Sequence, residues 1–399
     1  MKRFIILSLL SLLLAGRVFA QTEPSPSARI QGTGINLSLW KGAATQPLDS
    51  TRSTCLNLGL ISAMNQLNGL SVNILASYTM NSVNGIQVAG LAHMTGRNMN
   101  GLQVAGITNI TAGTLSGLSI GGLVNITEQL NGAQIGGLAN ITGSDTRGLV
   151  LGGLLNVTGT QTDGVILSGL VNIAGENLNG VAASGLLNIA GENMNGVQLS
   201  GLLNIAGEKM NGVQLAAANI AVHAQGVQIG LVNYYQESLN GFQLGLINAN
   251  KHTRIQLMAY GGNQTKFNLG VRFKNDRFYT ILGIGSHYLD FSHKFSGSLS
   301  YRAGLSIPLY RKLSLSGDLG YQHIETFRNK DHGFPARLYG LQARLNLEYQ
   351  LTQQLGLILT GGYGGSRYYG KNQTFDKGIL AEGGIVWTLP RHTNTPDRK

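Results

Sequence analysis

The chain has 399 residues, of which 57 are glycine, seven are proline and 12% are charged, and its formal net charge is +11. This composition excludes a disordered polar chain and is unusual for a globular enzyme. The single cysteine, Cys55, excludes an internal disulfide framework and provides no metal site by itself, so we expect no cofactor.

The first twenty residues have the pattern of a secretory signal peptide. Lys2 and Arg3 precede a short apolar run, and Val18 and Ala20 occupy the −3 and −1 positions of a cleavage site. The run is too short to predict a membrane-spanning helix. We therefore predict a signal peptide over residues 1–20, followed by a strand or linker over 21–52.

Residues 53–250 repeat a glycine-marked unit. "GVQLSGLLNIAGEKMN" at 196–211 nearly copies "GVAASGLLNIAGENMN" at 180–195. The unit is shorter than helical repeats, and its glycines disfavour helix. It is also too short for a membrane-crossing hairpin, whose strands need roughly 9–11 residues each. The repeat predicts a parallel β-solenoid of about twelve coils, which at about 4.8 Å per coil is roughly 55–60 Å long.

Two sets of side chains are expected inside the solenoid. Val197, Leu199 and Ile205, stacked on Val213 and Leu215 of the next coil, should form its apolar core, because each coil can bury that face only against a copy of itself. An asparagine eight residues after most of the repeat glycines should form a hydrogen-bonded ladder. The predicted ladder consists of Asn109, Asn125, Asn140, Asn156, Asn172, Asn188 and Asn204.

The asparagines have a second interpretation as glycosylation acceptors. "NIT" at Asn109, Asn125 and Asn140 and "NVT" at Asn156 match the acceptor pattern. Later units carry "NIA" and keep the asparagine without the threonine. This favours the ladder.

Residues 251–390 change to long two-residue alternation. Eight runs, near 254–262, 267–274, 277–289, 296–307, 312–324, 338–351, 355–366 and 378–389, predict an antiparallel outer-membrane β-barrel of about eight strands. Such a barrel is only wide enough to be filled by side chains, so charged residues on its inner face should pair. The two-residue alternation of the strands places six charged residues on the inner face of the barrel: Arg272, Arg302, Asp318, Arg344, Glu348 and Glu382. Residues 391–399 are a polar tail.

Charge is unevenly distributed between the two domains. Residues 53–250 carry three Lys or Arg against seven Asp or Glu, whereas residues 251–399 carry twenty against nine. The basic residues of the second domain are scattered singly along strands and loops. This pattern favours loops near an anionic lipid surface and an inner ion network, and we expect no nucleic-acid partner.

Several segments resemble a known family. "NGVQLSGLLNIAG" at 195–207, "CLNLGLIS" at 55–62 and "FYTILGIG" at 278–285 are similar to the surface-repeat outer-membrane proteins of Bacteroidota and some spirochaetes, which are built from GVQxGLxN-type units. The resemblance implies a cell-surface or outer-membrane location and nothing more specific. Short connections near 274–276, 308–311 and 352–354 instead place the solenoid in the periplasm. The sequence leaves both orientations open.

We expect a non-enzymatic outer-membrane protein in which the barrel anchors the solenoid as a binding or structural surface. Its expected partner is outer-membrane lipid, and polar turns offer a candidate contact face for a macromolecule through Glu176, Glu192, Glu208 and Lys209. One alternative is a small pore, if "GTGINLSLW" at 32–40 adds a barrel strand. The other is a lipid-modifying enzyme. It would use outer-rim residues from the set His287, Asp290, His293, His323 and His332, which no motif joins.

Overall fold

The computed structural model describes residues 33–40, 42–46, 48, 53–287, 289–290, 294–327, 337–369 and 373–390. The predicted signal peptide, the polar tail, His293 and His332 lie outside these residues. The described chain confirms the predicted fold class, a parallel β-solenoid followed by an antiparallel β-barrel. None of the described residues forms a helix long and apolar enough to cross a bilayer.

Two compact units divide the chain. One ends at Ile229 and includes Ser238–Phe242, and the other consists of Gly230–Glu237 and the chain from Gln243 onward. Most of the last solenoid coil is therefore grouped with the barrel.

Except for the two-residue β2, which pairs antiparallel with β1, the solenoid strands are parallel to their equivalents in neighbouring coils. They are β1 Thr33–Trp40, β2 Ala43–Ala44, β3 Ser53–Met64, β4 Gln66–Thr79, β5 Val83–Ala89, β6 Ala92–Thr95, β7 Met99–Ala105, β8 Thr108–Gly121, β9 Val124–Gly136, β10 Ala139–Thr142, β11 Thr146–Gly152, β12 Leu155–Thr158, β13 Thr162–Ser168, β14 Val171–Ala174, β15 Leu178–Ser184, β16 Leu187–Ala190, β17 Met194–Ser200, β18 Leu203–Leu215, β19 Ala218–Ile229, β20 Val232–Leu244 and β21 Ile247–Asn250.

A typical coil has a seven-residue strand, a glycine bend, a four-residue strand and a polar turn. β15 and β16 form one such coil, and β15 pairs with β17 in the register Leu178↔Met194. The repeat glycine is required by the backbone: Gly196 has φ +126°, and a Cβ there would lie 2.1 Å from the carbonyl oxygen of Gly180. This close approach explains why the sequence marks each coil with glycine.

The predicted apolar core of the solenoid is wrong. Leu199 and Leu215 are exposed and Val197 and Ile205 only half-buried, while Gln198, between Val197 and Leu199, is fully buried. Strand alternation allows only one of these sets to face inward. The amides can do so because stacked copies bond one another: Gln214 Nε2 donates to Gln198 Oε1 at 2.8 Å.

The solenoid interior is thus partly polar. Buried Leu67, Met99, Leu130 and Met194 line one part of it, and glutamine, asparagine and threonine side chains line the rest. The threonines include Thr79, Thr111 and Thr127. The apolar residues that flank these positions face outward.

The segment "GTGINLSLW" does not belong to the barrel. Its strand, β1, pairs in parallel with β3 and antiparallel with β2, so it extends the solenoid sheet. Asn36, fully buried, donates to Oδ1 of Asn57 at 2.9 Å, which continues the polar interior to this end of the solenoid. The proposal of an added barrel strand at 32–40 is therefore wrong.

The barrel strands follow in antiparallel order. They are β22 Arg254–Gly262, β23 Phe267–Asn275, β24 Phe278–Ser286, β25 Leu289–Asp290, β26 Lys294–Tyr310, β27 Leu313–Phe327, β28 Arg337–Gln350, β29 Leu355–Tyr368 and β30 Thr374–Thr388. Among the described residues, eight of these strands close the barrel through the pairs β22–β30 and β24–β26, and β25 is a short addition to β26.

Candidate functional site

The outer surface of the solenoid is built of apolar ladders. In each coil from β4 to β21, the first and third residues after the repeat glycine, the bend residue and the two neighbours of the ladder position face outward. In the coil that begins at Met194 these are Val197, Leu199, Leu202, Leu203 and Ile205. None of these positions holds a charged residue in any of these coils.

The bend residues form the most exposed ladder. Leu202 is 57% exposed, and its equivalents in the seven coils before it are at least 40% exposed although they are stacked on one another. These equivalents are Leu91, Ile107, Leu123, Leu138, Leu154, Leu170 and Leu186. A row of this length exceeds the isolated apolar residues that are normal on soluble proteins.

Charged residues of the solenoid lie at the opposite edge, in the polar turns and beside the repeat glycines. Glu176, Glu192, Glu208 and Lys209, the predicted contact face, are all exposed there. Next to them runs an outward asparagine row, in which Asn195 Nδ2 donates to Asn179 Oδ1 at 2.9 Å. Each coil is therefore apolar at its bend and hydrophilic at its turn.

The predicted ladder asparagines stack in the solenoid interior. Each Nδ2 donates to the Oδ1 of the next ladder asparagine at 2.8–3.1 Å, from Asn109 to Asn204 and on to Asn219. Each also donates to a backbone carbonyl eleven or ten residues ahead, as Asn188 does to Leu199 at 2.7 Å. The side chains are almost completely buried. Their amides are occupied by one another and by the backbone, so they serve structure rather than ligand binding.

His93 occupies the same ladder position in the coil directly before Asn109, where the asparagine run begins. Its Nδ1 lies 2.7 Å from Ser77 Oγ, and its Nε2 lies 3.0 Å from the carbonyl oxygen of Val104. A neutral ring satisfies both contacts, with Nε2–H donating to the carbonyl and Nδ1 accepting from the serine. Burial lowers the pKa of His93 from 6.5 to about 4, so the ring is neutral at pH 7.

The six predicted lumen charges form three ion pairs inside the barrel. Arg302 binds Asp318 through two hydrogen bonds, Nε to Oδ1 at 2.8 Å and Nη2 to Oδ2 at 2.7 Å. Arg272 Nη2 lies 2.7 Å from Glu348 Oε2. Arg344 Nε lies 3.2 Å from Glu382 Oε2.

Neighbouring side chains complete this network. The Asp318 carboxylate also accepts from Tyr279 Oη at 2.9 Å and from Asn346 Nδ2 at 2.8 Å. Around it, buried apolar and aromatic side chains fill the lumen; they are Met258, Tyr260, Tyr279, Ile281, Ile358 and Val386. The lumen is packed at this level.

The last coil covers part of the outer wall of the barrel. The carbonyl oxygen of Leu246 accepts from Thr280 Oγ1 at 3.1 Å, and that of Gly245 accepts from Tyr301 Oη at 2.7 Å. Thr280 lies between the lumen-facing Tyr279 and Ile281, so it points outward, yet it is 0% exposed. The coil buries it.

Of the histidines of the enzyme hypothesis, the structure describes His287 and His323, and these two contact different residues. His323 contacts Tyr369, with Nδ1 to Oη at 3.0 Å, and Glu325, with Nε2 to Oε2 at 3.4 Å. His287 follows β24, and its backbone N–H donates to Ser296 Oγ at 2.9 Å. Among the described residues, no cluster of three or more His, Cys, Asp or Glu side chains could hold a metal ion.

A polar cavity of about 580 Å³ opens at the short-turn end of the barrel. Most of its charged side chains are cationic. Its charged lining comprises Arg254, Lys274, Asp276, Arg277, Arg311, Lys312 and Glu348. The cavity is not predictable from the sequence, because its residues come from four separate turns and strand ends.

Comparisons with known proteins find similarity in solved structures. The chain is similar to Neisserial surface protein A (13% identity, TM-score 0.25, 34% of this chain and 96% of that one). It is also similar to the N-terminal β-barrel domain of Pseudomonas aeruginosa OprF (14%, 0.25, 34% and 96%) and to Ail, the attachment invasion locus protein of Yersinia pestis (15%, 0.20, 34% and 95%). No protein-family model and no curated protein matches the chain.

Proposed function

We propose that this chain is a non-enzymatic integral protein of a bacterial outer membrane, in which the barrel is the anchor and the solenoid is a structural or binding surface. The observation that carries the proposal is the inversion of polarity across the barrel wall. Leu299, Leu319, Leu341 and Leu359 are more than 60% exposed on the outside, while the ion pairs lie within. Water would not stabilise such an exterior, whereas lipid would.

The packed lumen favours an anchor over a pore. Arg302 and Asp318 are both almost completely buried, and their bidentate pair lies where a channel would have to pass. An eight-stranded barrel has room only for its own side chains. The scattered histidines favour an anchor over an enzyme.

Strand connections support an orientation. The short connections 276–277, 311–312 and 351–354 lie at one end of the barrel, the end where the last coil leads into β22. Short turns face the periplasm in bacterial outer-membrane barrels. We infer that the last coil lies in the periplasmic half of the membrane.

The test is expression of the full chain, with its leader, in a Gram-negative host. We expect it to fractionate with the outer membrane and to migrate on SDS gels as a compact band that shifts on boiling. The purified protein should give no conductance above background in planar bilayers. Stable conductance would contradict the packed lumen, and recovery in the soluble fraction would contradict the anchor.

A further inference from the structure

The solenoid has a surface that suits lipid rather than water. Its outward ladders extend for roughly 55 Å and about 20 Å across, an area on the order of 1,000 Å². The largest apolar patch on a soluble monomer is typically about 300–600 Å². The buried side chains between these ladders include glutamine and asparagine, so this solenoid repeats the polarity of the barrel wall, polar inside and apolar outside.

From this we infer that the solenoid inserts its bend surface into the acyl chains of a single membrane leaflet, with its polar turns at the headgroups. The bend surface comprises the outward ladders of which Val197, Leu199, Leu202, Leu203 and Ile205 are the members in one coil. This inference rests on the proposed function, since it requires that the barrel be in a membrane.

The dimensions of a coil fit one leaflet. From Val197 to the bend at Leu202 are five residue steps, or roughly 17 Å at about 3.3 Å per residue. Half of the hydrocarbon core of a bilayer is about 15 Å thick. The charged turn at Glu208 and Lys209 lies beyond the apolar part of the coil, so insertion to this depth buries none of these charges.

The contacts between the last coil and the barrel show which part of the coil lies deepest along the barrel wall. The coil's carbonyl at Asn248 accepts from Asn275, which ends β23 at the short turn. Its carbonyl at Leu246 accepts from Thr280, two residues into β24, and that at Gly245 accepts from Tyr301, opposite Leu282 and near the middle of β26. The coil therefore has its bend at the middle of the wall and its turn end at the short-turn rim.

The outward residues of this coil stay uncovered beside a wall that faces lipid. Leu244 and Leu246 are 43% and 40% exposed, and Leu231 is 57% exposed. The outward face of the last coil is thus continuous with the outer wall of the barrel, and acyl chains are the occupant that both surfaces fit. A second copy of the chain is a poorer occupant, because it would have to cover the outward face of the last coil while leaving the adjacent barrel wall exposed to lipid.

Tryptophan quenching by brominated lipid tests the insertion. The reporter is Leu202→Trp in a chain that also carries Trp40→Phe and Trp387→Phe, reconstituted in vesicles of phosphatidylcholine brominated near the chain ends. We expect at least half of its fluorescence to be lost relative to unbrominated vesicles. The matched variant Glu208→Trp, in the polar turn of the same coil, should lose less than a fifth.

A Leu319→Trp chain, which also carries Trp40→Phe and Trp387→Phe and has its reporter near the middle of the outer wall of the barrel, separates the two proposals. If this reporter is quenched and Leu202→Trp is not, at any ratio of protein to lipid, the bend surface faces water or another protein and the inference is overturned while the anchor stands. If the Leu319→Trp reporter is also unquenched, the anchor itself fails. Leu170→Trp, in an earlier coil, replaces Leu202→Trp if circular dichroism shows that the latter has not folded, and the same outcomes apply.

Discussion

At the scale of single residues, the solenoid depends on buried amides that have no access to water. Asn188 shows the arrangement: Nδ2 donates to Asn204 and to the carbonyl of Leu199, and Oδ1 accepts from Asn172. Replacing such a residue leaves several buried groups without partners. Leaving a buried donor or acceptor unpaired costs about 1–3 kcal/mol for each group.

We predict that Asn188→Ala lowers the free energy of unfolding by about 2–5 kcal/mol, because the Asn172 amide loses one of its acceptors and Oδ1 of Asn204 loses its donor. Asn195→Ala, at the exposed asparagine row of the same region, should change it by less than about 0.5 kcal/mol. Denaturant titrations followed by circular dichroism measure both. Equal effects would contradict a buried, satisfied ladder.

His93 makes the solenoid sensitive to pH. Burial lowers its pKa from 6.5 to about 4, so the unfolded state binds the proton more tightly than the folded state does. The contribution of His93 to the free energy of unfolding is therefore fully present above about pH 6.5. It decreases by up to about 3 kcal/mol as the pH falls toward 4. His93→Asn should remove this dependence. Unfolding curves of both chains at pH 7 and pH 4.5 test it, and a pH response equal in the two chains would refute it.

At the scale of elements, much of the fold follows from periodicity. Two-residue alternation predicted the barrel strands to within a few residues, as for the predicted 254–262 and β22 Arg254–Gly262. The glycine spacing predicted the solenoid because a Cβ at Gly196 would meet the neighbouring coil. Both signals are local, and the sequence states them directly.

Periodicity did not predict which face of each solenoid strand lies inside. "GVQLSG" offers Val and Leu on one face and Gln on the other, and alternation cannot say which is inside. Val197 and Leu199 are predicted to lie inside when the apolar face is taken as the one that the chain buries, whereas the structure buries Gln198. The covering of Thr280 by the last coil was also missed, since it depends on a contact between distant segments.

Removing one partner of a buried ion pair in the barrel should destabilise the fold, because the other partner is left charged and unpaired. We predict that Arg302→Ala destabilises the folded barrel by about 3–5 kcal/mol, because it leaves Asp318 charged and buried. Arg337→Ala removes an exposed partner of Glu325 and should cost less than about 1 kcal/mol. Urea titrations of the barrel in lipid vesicles, read by gel mobility, compare them. If the two costs were equal, the lumen pair would not be desolvated.

At the scale of the whole molecule, the orientation in the membrane determines which compartment meets the polar turns. We predict that a single cysteine, placed by Lys209→Cys in a Cys55→Ser background, reacts with a membrane-impermeant maleimide only after the outer membrane is permeabilised. A cysteine in place of Lys377, which is exposed near the start of β30 at the long-connection rim of the barrel, should react in intact cells. Reaction of Lys209→Cys in intact cells would instead mean surface display.

The sixteen-residue register has a consequence for how such chains change over generations. Equivalent residues pair in step from coil to coil, as Leu178, Met194 and Met210 do, so one coil is interchangeable with the next. A recombination event that duplicates or deletes sixteen codons therefore adds or removes one coil of the solenoid and leaves the pairing of the other coils unchanged. The number of sixteen-codon repeats in the gene therefore determines the length of the solenoid, and the chains of related strains should differ in length by whole coils.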